Sequence, residues 1–248
     1  MTLSAALGYD LMPMSKTSQN LAIILAAGRG ERAEVSIPKQ FFFIGGKEIL
    51  AHSIEKFETH PLIDQIVLVT HPDFLTQTTA LVKKNRYLKV KKILAGGRNR
   101  QESSAIGVAS AADLFAKVLI HDAVRPFVSQ RVINECLQAL DQFAAVVAAI
   151  PVKDTLLEVD SQNQLLSIPP RQNWFRVQTP QGFRLELIRK AHELARRDKA
   201  FEFTDDCGLV LHFRLAEILV VKGEERNIKI TFPEDILLAE KLLEARRV

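Results

Sequence analysis

Two cations, Arg32 and Lys39, follow directly on a run of residues almost without side chains, Ala26, Ala27, Gly28 and Gly30. The combination suits a phosphate. Backbone N–H groups can approach an anion closely where no bulk intervenes, a guanidinium offers a fork to two oxygens, and an ammonium adds a compact charge. Gly96-Gly97-Arg98-Asn99-Arg100-Gln101-Glu102-Ser103 is a second glycine turn. In it Gly97 would admit a flat base or a ribose to the backbone, and Ser103 offers a hydroxyl in the first turn of a helix. His121-Asp122-Ala123-Val124-Arg125-Pro126 carries a carboxylate that could hold a divalent metal or a substrate hydroxyl. Each group has a plainer counterpart: an ordinary βα turn, a capped glycine turn, and a turn aspartate paired with Arg125. Lys229, between Ile228 and Ile230, is by itself a solvated strand residue.

Two other chemistries compete for the same residues. Gly28 to Ala33 satisfies the GxGxxG/A dinucleotide pattern. However, Val35-Ser36-Ile37-Pro38 is a poor helix start, and the acidic residue expected about 20 positions on is missing. His121 brings a Ser/His/Asp hydrolase to mind, yet there is no GxSxG elbow and Ser103 belongs to another loop.

The elements that must position these groups alternate. Leu21 to Leu25, Gln65 to Val69, Lys92 to Ala95, Val118 to His121 and Ala144 to Ile150 read as short buried strands, and Phe41 to Ile44 as another. Helices are expected between them over 49–58, 71–85, 99–112 and 129–143. This calls for a mostly parallel α/β sheet with helices on both faces and ligands beyond the carboxyl ends of the strands, where all three groups lie. Residues 153–183 break the alternation. Thr155 to Val159 and Leu165 to Ile168 flank Asp-Ser-Gln-Asn, a turn cluster, so a projecting β-hairpin arm is expected. Helices from about 184 to 197, after Thr204 and from Pro233, with strands Glu217 to Val221 and Ile228 to Thr231, complete the chain.

The 248 residues suit one domain, expected over 21–248 behind a loose extension, 1–20, that lacks the layout of a signal peptide. The net charge of +4 is mild and forms no aromatic-interleaved Lys/Arg track, which argues against nucleic acid. No apolar run reaches the roughly 18 residues of a membrane helix. Cys136 and Cys207 form neither CxxC nor a disulfide framework, which fits a reducing cytoplasm, and no HxxxH suggests zinc.

LAAGRGER with IPKQ, then GGRNRQES, HDAVRP, PVKDT, RVQTPQGF, FTDD and GEERNIKITFPED occur in this order. Over about residues 21–245 they resemble the 2-C-methyl-D-erythritol 4-phosphate cytidylyltransferases of non-mevalonate isoprenoid synthesis. The resemblance implies a Rossmann-like nucleotidyltransferase fold that transfers CMP from CTP to methylerythritol phosphate with release of pyrophosphate, in the cytoplasm of a bacterium. It implies a CTP site at Ala26, Ala27, Gly28, Gly97, Ser103, Asp122 and Ala123, and catalytic cations at Arg32, Lys39 and Lys229. It places the acceptor near Asp122, Arg125, Thr155, Arg171, Thr179 and Thr204, with Mg2+ at Asp122. It also implies a homodimer that exchanges its arms. Ala33-Glu34 stand where the family commonly has Met-Gly, and Arg98 where a small or acidic residue is usual. A ribitol 5-phosphate cytidylyltransferase shares much of the scaffold, and a nucleotide-binding module without catalysis is the alternative of a different class.

Overall fold

Along the first strand, β1 (Asn20–Ala26), Ala22, Ile24 and Ala26 face one side and Leu21, Ile23 and Leu25 the other, and all six are buried. A strand apolar on both faces needs cover on both faces, and the rest of the chain supplies it. The computed structural model describes residues 19–28, 37–112, 117–198 and 203–245. The expected extension lies outside these residues up to position 18, and so does Arg32.

After β1 come the small hairpin β2 (Phe43–Ile44) and β3 (Lys47–Glu48), α1 (Ile49–Glu58), β4 (Gln65–Thr70), α2 (Leu75–Asn85) and β5 (Val90–Ala95). Next are α3 (Arg100–Ala109), β6 (Lys117–Asp122), α4 (Gln130–Ala139) and β7 (Ala145–Pro151). The second hairpin is β8 (Glu158–Val159) and β9 (Leu165–Ser167), and β10 (Phe175–Arg184), α5 (Leu185–Arg197), α6 (Asp206–His212), β11 (Ile218–Lys222) and α7 (Glu234–Glu244) follow. Seven strands form one sheet in the order β11-β7-β10-β6-β1-β4-β5, all parallel except β10. Residues of α1 and α4 pack with one face of β1, and those of α5 and α6 with the other. Helix α3 approaches that second face so closely that a Cβ added at Gly107 would lie 2.6 Å from an Ile23 methyl.

Four sequence expectations change. The return leg of the arm ends before residue 183, because Phe175–Arg184 is an antiparallel strand inside the main sheet, between β6 and β7. Pro180 would argue against a central strand, but the register to β7 shifts between Val177 and Gln181, so the proline falls in a break of the ladder. Residues 228–231 form no strand. They are held instead by Ile230, whose N–H donates to the Val124 carbonyl (2.9 Å) and whose side chain packs with Ile44, Ile49, Phe127 and Ala239. Phe41 belongs to a 3-10 turn, Lys39–Phe41, rather than to a strand. The helices expected over 99–112 and 129–143 are also shorter, each capped by its polar residue, Asn99 and Ser129.

The hairpin of β8 and β9 turns as its sequence suggests. Asp160 Oδ1 accepts from the N–H groups of Gln162 and Gln164 (2.8 and 2.9 Å), and Asn163 takes the left-handed conformation at φ +61°. Leu157, Val159, Leu165, Leu166 and Ile168 are all exposed on it.

Candidate active site

Beyond the carboxyl ends of β1, β5 and β6 lies an open cleft of about 1220 Å3, lined by residues 26–28, Lys39, the turn 96–100, Ser103, Asp122, Ala123 and residues 229–231. Its floor depends on small residues. A Cβ added at Gly96 would stand 2.4 Å from Ala27 Cβ and 2.9 Å from Ser103 Oγ, so only glycine lets the two loops meet. Ser103 is buried. Its hydroxyl donates to the Asn99 carbonyl (2.8 Å) and accepts from Gly97 N–H (3.1 Å), which closes the second glycine turn. Asn99 caps α3 by accepting from Glu102 N–H (2.8 Å).

Lys39 is aimed by its neighbour. The buried Gln40 amide donates to the carbonyls of Ala26 (2.7 Å) and Gly28 (3.2 Å), which ties the far side of the first loop back to the end of β1. The Lys39 ammonium then donates to the Thr231 carbonyl and stands 6.0 Å from the centroid of the Phe232 ring. Two residues before Thr231, Lys229 donates to Asp122 Oδ2 (2.9 Å). Two lysines from opposite ends of the chain thus reach the same side of the cleft.

Asp122 is also gripped from beneath, where Arg100 Nε donates to Oδ1 (3.2 Å) and Arg100 Nη1 to Asp206 Oδ2 (2.7 Å). Burial alone would raise the Asp122 carboxyl, but Arg100 and Lys229 outweigh it and hold the group well below the ordinary carboxylate range. Asp206 shows the same balance: burial opposes Arg100, and the carboxyl falls to about 2. Both stay ionised at neutral pH. The Asp206 and Cys207 N–H groups donate to Gln181 Oε1 (3.0 and 3.2 Å), so the buried pair rests on β10.

His121 is not placed to act as a base. It is fully buried, and desolvation lowers it to about 4. Its Nε2 pairs with the Arg125 carbonyl (3.0 Å), which can only accept, so Nε2 carries the proton and Nδ1 accepts from the Thr179 hydroxyl (2.9 Å). Thr179 Oγ in turn accepts from Asp122 N–H (3.1 Å).

The expected acceptor residues therefore divide. Asp122 lines the cleft. Thr179 and Arg125 are buried in the frame behind it, and Arg125 donates to the carbonyls of Asn227 (2.9 Å) and Val177 (3.3 Å). Thr155 and Arg171 are exposed on the arm, outside the cleft lining, where Arg171 Nη1 donates to the Lys153 carbonyl (2.8 Å). Thr204 is exposed, two residues before Asp206. Arg98 meets Glu102 in an exposed pair at 2.5 Å. Sequence reasoning assigned nothing to Arg100, Asp206, Gln40 or Asn227. All four lie inside the quoted motifs, but partners such as Arg100 and Asp206, 106 positions apart, leave no local pattern.

An open sheet that ends in glycine turns, with one lysine on an ionised aspartate and a second lysine lining the same cleft, is the frame of an α/β nucleotidyltransferase. The model of one family, 2-C-methyl-D-erythritol 4-phosphate cytidylyltransferase (IspD), matches residues 21–245. A Bifidobacterium longum protein of that name is 41% identical over 93% of this chain and 82% of its own length. The crystal structure of 4-diphosphocytidyl-2C-methyl-D-erythritol synthase from Anaerococcus prevotii superposes with a TM-score of 0.82 at 30% identity, covering 92% of this chain and 96% of that one. A bifunctional ribulose 5-phosphate reductase/CDP-ribitol pyrophosphorylase of Haemophilus influenzae is 37% identical over 92% of this chain, which spans 49% of that longer protein. The chain belongs to the 2-C-methyl-D-erythritol 4-phosphate cytidylyltransferase family.

Proposed function

We propose that the chain transfers CMP from CTP to 2-C-methyl-D-erythritol 4-phosphate and releases pyrophosphate. The observation that carries this reading, beside family membership, is the convergence of Lys39 and Lys229 on a cleft floored by two glycine turns. Cytidine lies on the backbone of residues 26–28 and Gly97, near Ser103, Asp122 and Ala123. A phosphate oxygen of the acceptor attacks the α-phosphorus of CTP, a new P–O bond forms, and the bond to the departing pyrophosphate breaks in line with it. The nucleophile is already ionised, so no side-chain base is needed, in keeping with the neutral, buried His121. Lys39 and Lys229, with Arg32, oppose the charge that grows on the leaving group.

The residues present fit a metal that arrives with its substrate. Among the described residues no three acidic, His or Cys side chains cluster as a dedicated cage, but Mg2+ is commonly held by one or two carboxylates together with substrate phosphates. Asp122 is the residue that would hold it, and the ion would add charge neutralisation at the phosphates.

The exposed arm completes the reading. A two-stranded hairpin is marginal alone, and its exposed leucines would be buried against a second copy in a homodimer, bringing Thr155 and Arg171 to the neighbouring cleft. Lys39→Ala and Arg171→Ala chains, each inactive, can be unfolded together and refolded as a mixture. Roughly a quarter of wild-type activity returns if the arms are exchanged, because about half of randomly paired dimers are hybrids with one intact site. A silent mixture, with hybrid dimers confirmed by native mass, would remove the exchanged arm and leave the CTP site standing.

The Haemophilus relative favours a second reading, ribitol 5-phosphate as acceptor. Pyrophosphate release measured with CTP, Mg2+ and each acceptor in turn separates the two. Release with neither acceptor would leave a nucleotide-binding module. Both cysteines are buried free thiols, which supports a cytoplasmic setting, and no helix among the described residues is long and apolar enough to cross a membrane.

A further inference from the structure

Lys229 stands on a segment without a strand ladder, so something other than sheet pairing must set where its ammonium points. On its carboxyl side the anchor is Ile230, through Val124. On its amino side the anchor is a knot of buried side-chain amides. Gln178, in β10, treats Glu224 as a strand neighbour would: its Oε1 accepts from Glu224 N–H (3.2 Å) and its Nε2 donates to the Glu224 carbonyl (2.8 Å). Asn227, fully buried, spends both protons of its amide on β10, donating to Gln178 Oε1 (3.3 Å) and to the Thr179 carbonyl (2.8 Å). Arg125 closes the knot by donating to the Asn227 carbonyl (2.9 Å).

Two details separate this knot from ordinary loop packing. Thr179 takes part twice: its carbonyl receives Asn227, and its hydroxyl receives Asp122 N–H (3.1 Å). The backbones that carry Lys229 and Asp122 are therefore both referenced to one residue, and the 2.9 Å contact between those side chains is set from that point. Secondly, Asn227 Oδ1 is buried with no partner among the described residues. A buried amide oxygen left unpaired costs stability, so this asparagine is poorly explained as a stabiliser and well explained by what its two donors hold. Gly223 shows how tight the arrangement is, since a Cβ there would stand 2.4 Å from Gln178 Oε1 and 3.2 Å from the Ala149 carbonyl.

We propose that Asn227 and Gln178 are positioning residues for Lys229, an amide clasp that replaces the missing strand ladder and fixes the lysine opposite the reacting phosphates. This rests on the reading of Lys229 as a phosphate-facing cation. A misplacement of about 1 Å can cost on the order of 10²-fold in rate, so Asn227→Ala lowers kcat roughly 10- to 100-fold while the KM for CTP stays within about threefold.

The decisive measurement is a cycle with Lys229→Ala. If Asn227 acts through the lysine, Asn227→Ala has nothing left to disturb in the Lys229→Ala background and changes kcat there by less than about twofold. Gln178→Met keeps the length of the side chain but loses both contacts with Glu224 and introduces no charge, so it repeats the result should Asn227→Ala fail to fold. A full, multiplicative loss in the Lys229→Ala background, from either variant, overturns the clasp and makes the knot a general support of the cleft. A KM for CTP that rises as far as kcat falls also overturns it. Wild-type turnover by Lys229→Ala alone would instead sink the reading of the lysine, so the two failures are distinguishable.

Discussion

The two walls of the cleft are built by different means. The wall formed by residues 26–28 and 96–100 hangs from the ends of parallel strands, and its shape follows from backbone ladders and from the small residues Gly96 and Ala27, where only a hydrogen and a methyl stand. The wall that carries Lys229 has no ladder, and its shape follows from the side chains of Gln178, Asn227 and Arg125. Where backbone sets the geometry, the residue types that matter are small and their loss acts through bulk. Where side chains set it, single amides matter and their loss acts through misplacement.

Substitutions can sharpen this contrast. The largest effect is expected at Lys39, which is tied to both walls, through its neighbour Gln40 to Ala26 and through its own ammonium to the Thr231 carbonyl. Lys39→Ala should lower kcat by about 10²- to 10³-fold, equivalent to about 2.7–4 kcal/mol, because it opposes charge that grows in the transition state. Normal turnover with only a raised KM for CTP would make it a ground-state contact.

Next is the pH dependence of the frame that joins the walls. Buried His121 is lowered from 6.5 to about 4 by desolvation, so between these values the unfolded chain binds the extra proton. Stability is then fully present above pH 6.5 and falls as the pH drops through 4, by about 3 kcal/mol for this one group. Denaturant melts from pH 7 to 4 should show that slope, and His121→Gln should flatten it. A His121 ring that titrates near 6.5 by NMR would contradict the burial argument.

The smallest effect belongs to the ladder wall itself. Gly96→Ala inserts a methyl against Ala27 and Ser103 and should cost about 1–3 kcal/mol in stability while weakening CTP binding. Undisturbed melting and CTP affinity would show that the two loops part more freely than the contacts allow.

The ladder wall was also the legible one. Short apolar runs such as QIVLV and AAVVAAI, each emptying into glycine or polar turns, announce strands of a parallel sheet, and residues 26–28, 96–97 and 122 stand out at the ends of such runs. The amide wall was not legible. RVQTPQGFR reads as a broken, polar stretch because Gln178, Thr179 and Gln181 are buried for their hydrogen bonds rather than for apolar surface. Asn227 likewise looks like any turn residue until Gln178, 49 positions earlier, is seen beside it. Arg125 and Thr179, expected at the acceptor, lie in the frame behind the cleft, a distinction of orientation that residue type does not encode.

The insertion of β10 between β6 and β7 has a consequence for the order in which the chain can assemble. As it leaves the ribosome, β7 is complete some two dozen residues before either of its partners exists, since it pairs only with β10 and the still later β11. Until Arg184 has been made, β6 offers a bare edge and the sequence AVVAAI of β7 has no edge to join, the kind of uncharged segment that recruits other chains. Nascent chains halted near residue 174 should therefore associate with one another or be held by chaperones, and chains halted beyond 198, with β10 and α5 in hand, should not.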